Sequence, residues 1–103
     1  MVLDTPRTSK LWSDELFGPA VGIRRAGSDE EALAMANDTR FGLGASVFTQ
    51  DIDRAFAFAR KLKTGNVHIN GGPNWRVDFM PYGGFGDSGF GKEGCLLYTS
   101  RCV

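Results

Sequence analysis

The sequence predicts an α/β fold in which a partial parallel sheet is built from strands and helices in the order βαβαβ. Three short apolar runs alternate with two segments that carry helical caps and helical apolar spacing. Because each helix must bury its apolar stripe against the sheet, this order favours parallel strands joined by right-handed crossovers. The chain has 103 residues, so we expect an α/β fragment with room for one domain at most.

The first 23 residues are predicted to form an irregular segment followed by the first strand. Residues 1–19 are predicted to be irregular, with Ser13 able to cap a short helical turn over residues 14–16. The apolar and β-branched run at residues 20–23 then predicts a buried strand. The regular part of the fold should therefore begin near residue 20.

Two helices are predicted, each from a capping residue. Ser28 and Glu31 form a capping box, so the first helix should begin there and run to about Asn37. Asp51 caps the second helix, which should end before Gly65. The side chains expected to face the sheet are Ala32, Leu33 and Ala36 in the first helix and Ile52, Ala55, Phe56, Ala59 and Leu62 in the second.

The other two strands are predicted at residues 43–48 and 67–70, which are short and apolar. Beyond them the periodicity stops, and residues 71–94 alternate glycine with aromatic side chains. We call residues 71–94 the aromatic-glycine loop. Ligands of α/β proteins bind at the carboxyl ends of parallel strands, where this loop begins, so we expect it to be functional.

Composition limits the classes of partner. Hydrophobic residues make up 42% of the chain and charged residues 23%, which argues against disorder and against a collagen-like repeat. Twelve basic and twelve acidic side chains give a formal net charge of zero, so neither nucleic acid nor a membrane is an expected partner. The polar N-terminus and the absence of a long apolar run predict a cytoplasmic protein.

Glu15 and Phe17 are the first candidates for ligand binding. A carboxylate beside an aromatic ring, held by a Gly-Pro turn, can accept both hydroxyls of a ribose while the ring covers a base. From chemistry alone, the favoured alternative is a solvated acid in a capped turn with Phe17 packed into the core.

Arg76 is the second candidate. Its guanidinium can clamp a substrate carboxylate or phosphate through paired hydrogen bonds. It can equally form a surface ion pair with Asp78. Residue chemistry leaves both interpretations open.

Other features are not expected to carry chemistry. Residues 84–89 satisfy G-x-G-x-x-G, but no strand precedes them and no acid follows at the required distance, so a tight turn is expected. His68 has no nucleophile nearby and is expected to be structural or at the surface. Cys95 and Cys102 lie in the last nine residues, without the spacing of a disulfide framework or a metal site, and no metal is predicted.

Five motifs of the chain together resemble the NAD(P)-dependent aldehyde dehydrogenase superfamily. They are Glu15-Leu16-Phe17-Gly18-Pro19, residues 36–43, residues 47–49, residues 65–70, and Pro81-Tyr82-Gly83-Gly84 with Ser88-Gly89. The resemblance identifies residues 1–94 as the C-terminal part of the family's catalytic domain. It implies an oxidoreductase that converts an aldehyde to a carboxylic acid with NAD or NADP.

The resemblance also implies roles for four residues. Glu15 would hold the hydroxyls of the nicotinamide ribose, and Phe17 would contact the nicotinamide end of the cofactor. Tyr82 would line the aldehyde pocket. Arg76, in a loop where members differ by substrate, would recognise a small anionic or hydroxylated aldehyde such as a semialdehyde or lactaldehyde.

The resemblance also implies that the family's catalytic residues lie outside the matched segment. Its nucleophilic cysteine, its glutamate base and its dinucleotide-binding domain lie upstream, so no catalytic residue is assigned and the chain is expected to be inactive alone. A full-length member is expected to be a homo-oligomer. Residues 95–103 depart from the family pattern and resemble read-through of a cloning or assembly artefact.

Two further functions are kept as alternatives. The first is a non-catalytic interaction or regulatory module that pairs a sheet edge with a full-length homologue. The second is a small nucleotide-binding module that uses Glu15 and Phe17, which predicts NAD binding by the isolated chain.

Overall fold

The computed structural model describes residues 1–94, which fall into two compact units. The first unit is Met1–Thr39, and the second begins at Arg40. The first contains β1 (Val2–Leu3), α1 (Lys10–Ser13), β2 (Gly22–Ile23) and α2 (Asp29–Asn37). The second contains β3 (Phe41–Gly42), β4 (Gly44–Val47), α3 (Ile52–Lys61), β5 (Asn66–Ile69) and β6 (Phe85–Gly86). The α/β class with parallel strand pairs is confirmed.

In the first unit, β1 and β2 form a parallel pair. Val2 lies opposite Gly22, and Leu3 lies opposite Ile23. The predicted first strand is therefore present over its second half. Its partner β1 lies inside the opening segment that was expected to be irregular, because two residues are too short a run for a periodic signal in the sequence.

The predicted cap at Ser13 is wrong. The helix α1 ends at Ser13 and begins after Ser9, whose hydroxyl accepts a hydrogen bond from the Leu11 amide at 3.2 Å. The Ser13 hydroxyl instead donates to the Asp14 carboxylate at 3.2 Å. Since that hydroxyl is occupied by its neighbour, it does not cap a turn over residues 14–16.

The capping box of α2 is confirmed. The Ser28 hydroxyl accepts from the Glu31 amide at 3.2 Å, and the Glu31 carboxylate accepts from the Gly27 amide at 2.7 Å. The acid thus satisfies the amide one residue before the cap. The helix ends at Asn37, as expected, and the next residue, Asp38, forms an ion pair with Arg7.

The second unit is centred on the parallel pair β4 and β5, joined by the crossover helix α3. Gly44 lies opposite Asn66, and the register continues to Val47 opposite Ile69. Helix α3 contacts both strands, and its Ala55 is only 1% exposed. The predicted Asp51 cap is confirmed by the hydrogen bond that its carboxylate accepts from the Arg54 amide at 3.0 Å.

A short antiparallel pair completes the second unit. β6, which lies inside the aromatic-glycine loop, pairs with β3 so that Phe41 is opposite Gly86. The loop is therefore fixed to the fold at its far end as well as at β5. Within residues 1–94, no helix has the length and apolar character that crossing a membrane requires.

Candidate functional site

The aromatic-glycine loop starts from a fixed strand end. Asn70, directly after β5, has a left-handed backbone with φ 54°. Its side chain accepts a hydrogen bond from the Thr49 amide and donates one to the Thr49 carbonyl, each at 2.9 Å. Asparagine tolerates this backbone conformation better than most residues. An asparagine directly after a predicted strand is therefore the signal by which sequence analysis could have found this pair of hydrogen bonds.

One face of the β4 and β5 pair supports the first part of the loop. Ser46 and His68 are register partners and share this face because side chains alternate along a strand. The ring of Trp75 stands edge-on to the His68 ring, with 6.2 Å between centroids and 83° between planes. His68 therefore supports the loop next to Arg76, in agreement with its expected structural role.

Arg76 and Tyr82 lie together in the second unit. The Arg76 guanidinium carbon is 4.2 Å from the centroid of the Tyr82 ring. The guanidinium also forms a 2.9 Å ion pair with the Glu93 carboxylate. The alternative prediction, an ion pair of Arg76 with Asp78, is wrong. The folded backbone places Glu93, rather than Asp78, beside the arginine. Sequence analysis missed Glu93, which lies 17 residues further along the chain.

The backbone brings Glu93 to this position. Tyr82 and Glu93 form an antiparallel bridge in which the Tyr82 amide donates to the Glu93 carbonyl at 3.1 Å. The Glu93 amide donates back to the Tyr82 carbonyl at 2.6 Å. Arg76, Tyr82 and Glu93 therefore form one cluster, which we call the arginine cluster.

Tyr82 also lines a cleft of about 260 Å³ in the second unit. The cleft is bounded by Leu43, Tyr82, Gly83, Gly84 and residues 88–93. Lys92 in this wall donates a hydrogen bond to the Gly83 carbonyl at 3.1 Å and lies over the Phe85 ring at 4.6 Å. Its ammonium group thus holds the Pro-Tyr-Gly-Gly segment against the following turn.

The G-x-G-x-x-G segment is a tight turn, as expected. The Asp87 amide donates to the Arg40 carbonyl at 2.9 Å, and the Ser88 amide donates to the Phe85 carbonyl at 3.2 Å. The Ser88 hydroxyl accepts from the Gly42 amide at 2.9 Å, which ties the turn to β3. Because these amides already have acceptors, they are not available to cradle a phosphate.

Glu15 and Phe17 lie in the turn between α1 and β2 of the first unit. The Phe17 side chain is 92% exposed, so the alternative that placed it in the core is wrong. Leu16, between the two, lines a cleft of about 380 Å³ together with Trp12, Val21 and Met35. Leu16 lines this cleft but is still 52% exposed, and Glu15 and Phe17 on either side of it are exposed as well.

The Glu15 carboxylate forms no hydrogen bond or ion pair within residues 1–94. An exposed carboxylate two residues from an exposed aromatic ring has the groups that hold a ribose and cover a base.

Cys95 and Cys102, which were not expected to take part, lie outside the described residues. In the part of the chain that is described, no three metal-binding side chains come together.

Comparison with known proteins gives a consistent family. The model of the aldehyde dehydrogenase family matches residues 1–101. A lactaldehyde dehydrogenase of Methanococcus vannielii is 47% identical over 93 residues, which are 90% of this chain and 20% of that protein. An aldehyde dehydrogenase [NAD(P)+] of Saccharomyces cerevisiae is also 47% identical, over 87% of this chain and 18% of its own length.

Solved structures agree in fold. Aldehyde dehydrogenase 21 of Physcomitrella patens, in complex with the reaction product succinate, has a TM-score of 0.86 and 36% identity over 91% of this chain and 20% of its own. An aldehyde dehydrogenase of Mycobacterium tuberculosis in complex with NAD+ has a TM-score of 0.78 and 33% identity over 89% and 19%. This chain spans about a fifth of the length of these relatives. The sequence motifs, the fold and the family match together establish that the chain belongs to the aldehyde dehydrogenase family.

Proposed function

We propose that this chain forms part of the catalytic domain of an enzyme that oxidises an aldehyde to a carboxylic acid with NAD or NADP. It would supply one wall of the cofactor site through Glu15 and Phe17 and one wall of the aldehyde pocket through Arg76 and Tyr82. The observation that carries the proposal is the stacking of Arg76 on Tyr82 at 4.2 Å, in the loop that follows β5. There a cation and a phenol present polar groups where α/β folds bind their ligands.

The cofactor site would be held by groups that are exposed in the first unit. The Glu15 carboxylate can accept hydrogen bonds from two ribose hydroxyls, and such bonds to a charged acceptor are the stronger kind. The Phe17 ring is 92% exposed and can pack on a planar ring. The bound dinucleotide supplies the hydride acceptor. The NAD+ complex of the M. tuberculosis enzyme supports a nicotinamide dinucleotide as the cofactor.

The substrate would be a small aldehyde that is polar at the end away from its carbonyl. An arginine presents paired N–H donors that suit a hydroxyl or a carboxylate. A lactaldehyde dehydrogenase and an enzyme with bound succinate both stand among the relatives, and these two names represent the hydroxylated and the anionic alternatives. Both alternatives fit Arg76 as a recognition group.

A chimaera tests the proposal. We define the chimaera as the lactaldehyde dehydrogenase of M. vannielii in which residues 1–94 of this chain replace the matching segment. It should reduce NAD or NADP in the presence of lactaldehyde, whereas the isolated 103-residue chain should not. Loss of turnover in a folded chimaera that still binds cofactor would argue against the proposal.

Two substitutions in the chimaera test the cofactor site and the aldehyde pocket independently. Glu15→Gln should raise the KM for the cofactor about tenfold, since hydrogen bonds to a charged group contribute about 1.5–3 kcal/mol. Arg76→Ala should remove the preference for polar over apolar aldehydes and leave the cofactor KM unchanged. Glu30→Gln, an exposed carboxylate on α2, is the matched control and should change neither.

A further inference from the structure

The arginine cluster contains a carboxylate that the proposed function does not yet use. Glu93 lies 2.9 Å from the Arg76 guanidinium. Its backbone is tied to Tyr82 by two hydrogen bonds, and the Tyr82 ring lies beneath the guanidinium. The Glu93 backbone is thus fixed beside Arg76, which lowers part of the entropic cost that weakens most surface ion pairs. The Glu93 side chain itself is 69% exposed.

The guanidinium keeps free hydrogen-bond donors in this arrangement. One terminal nitrogen, Nη2, donates to Glu93, and one face of the guanidinium lies against the Tyr82 ring. The Arg76 side chain remains 42% exposed. Since an arginine carries more N–H donors than one carboxylate oxygen can accept, the others remain available to a substrate group.

The charge of the cluster differs from that of a lone arginine. Arg76 and Glu93 together carry a formal charge of zero. Lys92 is next in the chain and keeps its positive charge, but its ammonium donates to the Gly83 carbonyl and lies over Phe85. It does not pair with Glu93, whose carboxylate is paired with Arg76. A carboxylate that approached Arg76 would therefore meet donors whose positive charge is already compensated and would lie near a second anion.

We propose that Glu93 determines substrate specificity by compensating the charge of Arg76, so that the site prefers neutral hydroxylated aldehydes to anionic ones. A hydroxyl gains from the free N–H donors and is not repelled by Glu93. A carboxylate gains from the same donors but loses through its proximity to the Glu93 carboxylate. The inference rests on the proposed function, and it selects one of the two substrate classes that Arg76 alone would accept.

Glu93→Gln isolates the charge, because glutamine keeps the side-chain oxygen that accepts from Arg76. In the chimaera we compare kcat/KM for lactaldehyde, which is neutral, with that for succinate semialdehyde, which is anionic. The variant should raise the ratio of anionic to neutral kcat/KM about fivefold, which is the size expected for an exposed ion pair. Competitive inhibition by succinate should strengthen by a similar factor.

Two other variants complete the test. Arg76→Gln should lower kcat/KM for both polar aldehydes relative to propanal. In Arg76→Gln/Glu93→Gln the second change should still raise the ratio of anionic to neutral kcat/KM, because Glu93 repels the anionic substrate directly. Glu30→Gln is the control for loss of a negative charge elsewhere. An active chimaera whose ratio does not respond to Glu93→Gln overturns this inference alone. A folded chimaera that oxidises none of the three aldehydes overturns the proposed function and this inference with it.

Discussion

At the residue scale, a glycine at position 65 decides how closely the backbone before β5 can approach the Pro81-Tyr82-Gly83-Gly84 segment. Gly65 lies between α3 and β5, and a β-carbon placed there would overlap the carbonyl group of Gly83. The Gly65 amide donates to the Gly42 carbonyl at 3.0 Å, so the backbone cannot easily move away. Glycine at position 65 therefore allows close backbone packing against the segment that carries Tyr82.

Gly65→Ala tests this packing. We expect it to lower the free energy of unfolding of the chimaera by about 2 kcal/mol or more, since the new methyl group meets backbone that is fixed on both sides. Gly71→Ala is the control, because its β-carbon would meet only the Ile69 carbonyl, at 4.0 Å. Equal stability of the two variants in denaturant titrations would contradict the packing argument.

The candidate site was only partly predictable at this scale. Glu15, Phe17, Arg76 and Tyr82 were assigned by resemblance, and their roles stay predictions. The ion pair of Arg76 with Glu93 could not be predicted, because it depends on an antiparallel bridge between residues 82 and 93 that leaves no periodic signal. The sequence offered Asp78 as the nearest acid, and nearness in sequence was misleading.

At the element scale, the crossover helix α3 is the best-specified part of the fold. Its cap, its amphipathic spacing and its basic last turn all agree. The same agreement holds for the capping box of α2. Where only one weak signal was present, as for the turn predicted after Ser13, the prediction was wrong.

The Asp51 cap has a measurable contribution. Asp51→Ala should destabilise the chimaera by about 1 kcal/mol, because the Arg54 amide loses its acceptor at the start of α3. Asp53→Ala removes an equal charge from the same first turn without removing a cap, so its effect should be less than half as large. Thermal unfolding of the two variants measures the difference, and the opposite order would refute the role of the cap.

At the scale of the whole molecule, apolar surface exceeds apolar core. Ala55 is the only hydrophobic residue buried among those described. Several large apolar side chains are more than half exposed, including Leu3, Phe17, Phe48, Ile52, Phe79 and Phe90. So small a core provides little of the hydrophobic burial that must offset chain entropy.

We therefore expect the isolated 103-residue chain to unfold without a cooperative transition and to bind a hydrophobic dye such as ANS in its native buffer. The chimaera, in which the same apolar surfaces can be covered, should unfold cooperatively and bind little dye. Circular dichroism during denaturant titration measures the unfolding of both proteins, and ANS fluorescence measures their dye binding. A steep sigmoidal transition of the isolated chain with no dye binding would show that its core is sufficient.

The sequence by itself determined the two longer helices, the strands of the central parallel pair and the family. Caps, amphipathic spacing and short apolar runs are encoded within a few residues, and five motifs were enough for the resemblance. Only the tertiary structure decided that β1 pairs with β2, that β6 pairs with β3, and that Glu93 meets Arg76. The physical reason is range: these contacts join residues that are far apart in the chain, and their energies depend on the folded backbone that brings them together.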